Sequence, residues 1–67
     1  MEMILAILLW MGCISAPNTY QQSQIDAYTT QGQQVINSVL ASQSQQEIIW
    51  QQYGAVVPTL DIVDPFK

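Results

Sequence analysis

Sixty-seven residues with one cysteine, no histidine and five scattered acids (Glu2, Asp26, Glu47, Asp61, Asp64) allow one small domain at most, without an internal disulfide or a zinc site to staple it. A formal net charge of −4 with Lys67 as the sole basic residue excludes nucleic-acid binding through phosphate contacts and disfavours docking on anionic lipid headgroups. Yet 49% of residues are hydrophobic and only 9% charged, so the chain seeks burial rather than disorder. An unstapled core of this size contributes about 3–5 kcal/mol, so very good helix packing or contact with other molecules must hold the chain.

The first segment, 3–16 (MILAILLWMGCISA), is apolar all round and rich in helix formers. Glu2 suits a helix N-terminus, and Pro17 predicts the helix end at Ala16. Fourteen residues of helix reach roughly 21 Å, short of a hydrocarbon core of about 30 Å. Three readings therefore stand: a membrane anchor or short span, a helix buried in protein, or the apolar core of a signal peptide.

The second segment, 20–53, predicts one long amphipathic helix on the order of 51 Å. Thr19 and Gln22 have the spacing of a capping box, and Gly54 stands where a C-terminal glycine belongs. A three- and four-residue spacing runs through Ile25, Tyr28, Gly32, Val35, Val39, Ser42, Gln46, Ile49 and Tyr53, with Ile36 and Leu40 widening it. The candidate interaction residues are Ile25, Tyr28, Val35, Val39, Ile49 and Tyr53, expected to face a neighbouring helix. The opposite face carries glutamine and serine where a solvated helix would show paired charges, and eleven glutamines fall from Gln21 to Gln52. Gly32 in mid-helix marks either a close approach or a break near Thr29–Thr30.

The third segment, 55–67 (AVVPTLDIVDPFK), contains two prolines and many β-branched residues, which predict an extended strap. Its apolar groups, Val56, Val57, Leu60, Ile62, Val63 and Phe66, suit docking on a partner, as by strand addition, or packing back on the chain's own helix.

Few residues carry chemistry. Cys13 has no histidine or basic residue nearby in sequence to activate it, and Asp61 and Asp64 sit in a proline-bounded strap rather than across a cleft. The stretch Trp10-Met11-Gly12-Cys13 resembles the end of a bacterial lipoprotein signal, in which a small residue precedes the lipidated cysteine. That resemblance implies export and lipidation of Cys13; the other reading is a buried, inert thiol.

The sequence thus predicts a mainly α chain in three parts: an apolar helix in 1–16, a long Gln-rich amphipathic helix in 17–54 and an extended tail in 55–67, not an independent globular domain. The expected function is that of a small structural or accessory subunit of a large assembly, either a minor virion (phage) protein or a subunit of a membrane-associated complex. Its partners would be other protein subunits and, for the first segment, a lipid bilayer. No catalytic, metal or cofactor site and no small-molecule substrate is expected. An exported lipoprotein-like envelope peptide and a single-pass regulator of a membrane enzyme are the alternatives.

Overall fold

In the computed structural model, which describes residues 2–64, helix α1 (Glu2–Met11) is the centre about which the chain folds. Leu5, Ala6, Ile7, Leu8 and Leu9 are consecutive and all buried. Five successive residues exceed one helical turn of about 3.6 residues, so α1 is enclosed on every side at that level. A helix that is apolar all round requires this, and the protein that encloses it is the chain itself. No helix among the described residues is long and apolar enough to cross a membrane.

The end of α1 corrects the expectation set by Pro17: the helix stops at Met11, well before Ala16. Gly12 adopts a left-handed φ of 81°. The Cys13 amide donates to the Leu8 carbonyl at 3.0 Å, and the Gly12 amide donates to the Leu9 carbonyl at 3.1 Å. These are the two bonds of a Schellman motif, which satisfies the last carbonyls of a helix and favours glycine at its left-handed position. Beyond it Ile14 turns into the core. The Ser15 amide donates to the Tyr20 hydroxyl at 3.1 Å and Asn18 Nδ2 donates to Ser15 Oγ at 2.8 Å, pinning the approach to strand β1 (Asn18–Gln21).

The single long helix expected over 20–53 is instead three: α2 (Gln22–Gln31), α3 (Gln33–Leu40) and α4 (Gln43–Tyr53). A straight rod of about 51 Å would overrun a molecule whose longest dimension is 34 Å, and it could not wrap α1. The first break is at Gly32, after Thr29 and Thr30 have turned their hydroxyls back onto the Ile25 and Asp26 carbonyls at 2.7 and 3.0 Å. Such back-bonding weakens and bends helices. Gly32 is also packed tightly: a Cβ there would lie 2.7 Å from Met11 Cε.

At the second break Ser42 is extended (φ −122°, ψ 105°) and caps α4 by accepting from the Gln45 amide at 3.4 Å. Gln46 Nε2 donates to the Leu40 carbonyl at 2.8 Å, covering an orphaned group at the end of α3. The Thr19–Gln22 capping box does not form, because those residues straddle β1 and the start of α2. Gln24 Oε1 accepts from the Gln21 amide at 2.9 Å, moving the box two residues on.

The tail passes through a 3-10 turn at Val57–Thr59 and becomes strand β2 (Leu60–Val63). It is extended there, and it lies on its own chain: β2 pairs in parallel with β1, in register from Asn18↔Leu60 to Gln21↔Val63. Parallel strands need a long crossover, which α2, α3 and α4 supply. The expected strap residues Pro65, Phe66 and Lys67 lie outside the described residues.

Around α1 the core takes Ile25 from α2, Ile36 and Val39 from α3, Ile49 from α4, and Val57 from the 3-10 turn. No polar or charged residue among those described is buried. The radius of gyration, 11.5 Å, is close to the roughly 11 Å of a folded chain this long. The three predicted segments therefore share one core.

Candidate interaction surface

The six predicted contact residues part company. Ile25, Val39 and Ile49 are buried against α1's surroundings, while Tyr28 and Tyr53 are half-buried and pack on the same core. Val35 is 42% exposed. The amphipathic periodicity thus marks the side of each short helix that covers the chain's own apolar centre. Because the chain bends at Gly32 and Ser42, the three helices present this stripe to α1 in turn.

Large apolar side chains also remain outside: Trp10, Leu40, Ile48, Trp50 and Val63 join Val35 at the surface. Leu40 and Val63 belonged to surfaces expected to make contacts; Ile48 did not, yet a signal was present. Three consecutive apolar residues on one helix, Ile48-Ile49-Trp50, are spread by about 100° each. When Ile49 points inward, its two neighbours are left on the flanks.

Between α1 and α4 lies an open groove of about 430 Å³, lined by Met3, Gln43, Gln46, Glu47, Trp50 and Gln51. Five of the six residues come from α4, at spacings that share one helical face. The Ser42 cap fixes where that helix starts. At its other end Gly54 lies close under the indole, since a Cβ there would sit 2.8 Å from Trp50 Cε2 and 2.5 Å from the Trp50 carbonyl oxygen. The groove offers one carboxylate, several carboxamides, an indole and a thioether. No described residue engages the Glu47 carboxylate. This set can bind a side chain or a peptide segment; it pairs no nucleophile with a base.

The glutamine-rich surface replaces charge pairs with pairs one turn apart in which a glutamine carboxamide donates, once to a carboxylate and once to another amide. Gln22 Nε2 donates to Asp26 Oδ1 at 3.0 Å, and Gln33 Nε2 donates to Asn37 Oδ1 at 2.8 Å. Cys13 is a free, half-buried thiol whose side chain packs against the core. The Gly12-Cys13 pair that resembles a lipoprotein signal is the pair that forms the Schellman turn. Among the described residues no cluster of His, Cys, Asp and Glu is arranged to hold a metal ion.

Compared with known proteins, the chain matches no family model, no curated protein and no solved structure.

Proposed function

We propose that this chain is a small structural or accessory subunit of a larger assembly, acting through protein–protein contact rather than catalysis. One observation carries the reading. After the core has closed, Trp10, Val35, Leu40, Ile48, Trp50 and Val63 still face outward, on a chain in which only 9% of residues are charged. Single exposed apolar residues are ordinary. Their combination with so little charge is not, because soluble domains average about 25% charged residues and the centres of protein interfaces are depleted in charge.

The amide-rich faces support the same reading. Carboxamides satisfy one another within the chain and can pair with neighbouring subunits, and their desolvation costs far less than that of ions. A virion or a membrane-associated complex provides a setting in which such a surface is covered on several sides.

The test is sedimentation of a gently lysed native source, with the chain followed by mass spectrometry. Migration with a high-mass particle at a constant ratio to its other components is the expected result. Recovery of the whole population as a free 7.5 kDa species at all concentrations would overturn the proposal.

A further inference from the structure

We infer that the groove between α1 and α4 receives a lysine or arginine side chain from a partner protein, with Glu47 pairing its charge and Trp50 covering its stem; this rests on the subunit reading above and names a contact for it. Charge decides the occupant. The Glu47 carboxylate has no partner among the described residues, and the chain carries five acids against one basic residue. An apolar segment filling the groove would strip water from that carboxylate without replacing it, which is strongly unfavourable. An anionic occupant would be repelled. A cationic side chain resolves both problems.

The other walls fit the same ligand. Trp50 follows Glu47 by three residues on one face of α4, which places an indole beside the carboxylate. Tryptophan is the strongest aromatic partner for a cation. Met3, from α1, provides an adaptable apolar wall for the methylene stem. Gln43 and Gln51 also line the groove, and a carboxamide oxygen can accept from an ammonium or guanidinium. A net charge of −4 steers basic partners toward the chain. The groove's volume of about 430 Å³ falls within the usual range of binding pockets, about 300–1,000 Å³.

The experiment uses the full chain carrying Trp10→Phe, so that Trp50 is the only indole. Its emission is followed during titration with acetylated tetra-lysine amide, with acetylated tetra-glutamine amide as the neutral control. A saturable change with the lysine peptide alone is expected. Glu47→Gln should weaken it by roughly tenfold, the worth of one charge-assisted hydrogen bond, while Asp26→Asn on α2 should leave it nearly unchanged. Thermal melts check that each variant stays folded. A flat Trp50 signal, or equal weakening by Glu47→Gln and Asp26→Asn, overturns the inference. If the chain still co-sediments with its assembly, either result removes the groove alone and leaves the subunit reading intact.

Discussion

Replacing Ile49 by alanine, and separately Ile48 by alanine, removes the same atoms from adjacent positions on α4. Ile49 is 0% exposed and Ile48 is 54% exposed, so the fold assigns them opposite consequences. A buried isoleucine truncated to alanine costs about 2–5 kcal/mol, because both the transfer energy and the unfilled cavity count. Ile49 is fully buried in the core shared with α1, so the cost is about 3 kcal/mol, a drop of more than a hundredfold in the folding equilibrium. For a domain of this size each kcal/mol moves the melting temperature by about 4–8 °C, which places the Ile49→Ala loss at roughly 12–24 °C. Against the ~3–5 kcal/mol available to a small unstapled domain, that change brings the chain to the edge of unfolding. Ile48→Ala should stay within about 0.5 kcal/mol of the parent. Far-UV circular dichroism melts at several concentrations measure both. Equal destabilisation by the two variants would refute the placement of α4 against α1, since a helix buried on both flanks, as in a symmetric bundle of several copies, loses from either residue.

Gly12→Ala forces a left-handed φ onto a residue with a Cβ and should cost about 1–2 kcal/mol, with Gly12→Asn recovering part of it; a melt unchanged in Gly12→Ala would mean the Schellman turn does not end α1. Gly54→Ala should destabilise by about 1–3 kcal/mol, because the new Cβ meets the Trp50 carbonyl at 2.5 Å and its ring at 2.8 Å, and a blue-shifted or red-shifted Trp emission should accompany the loss. Val39→Asp, which places an unpaired charge at a position 3% exposed, should abolish the cooperative melt, whereas Val35→Asp, on the same helix, should leave the melt intact while reducing incorporation into the assembly.

The apolar character of α1 was readable because five successive buried residues leave no polar face to mistake. What its burial partner is was not readable, since lipid and protein select the same side chains. Its end was misplaced because proline at position 17 is a conspicuous stop, while Gly12 followed by Cys13 is a quieter one whose effect depends on a positive φ. The stripe of α2, α3 and α4 was legible only in part: Ile25, Val39 and Ile49 lie in the core, but Ile36, read as its flank, is buried while Val35, read as its centre, is exposed. The breaks were half legible. Gly32 advertised one, but Ser42-Gln43-Ser44-Gln45 has the S-x-x-Q form of a capping box and was absorbed into the stripe because Ser42 fell on its spacing. The pairing of β2 with β1 is set by long-range docking, which local propensity does not encode. The groove at Met3 and Trp50 arises only when two segments distant in sequence are brought together.

Whether the exposed apolar residues hold the chain in an assembly is measured by comparing the parent chain with the double variant Val35→Gln/Ile48→Gln, both expressed in the native source and recovered by sedimentation. Both positions face outward and both new residues are neutral, so the melt of the purified variant should match the parent. A folded variant largely lost from the high-mass fraction is the expected result. A folded variant that co-sediments as fully as the parent would contradict it.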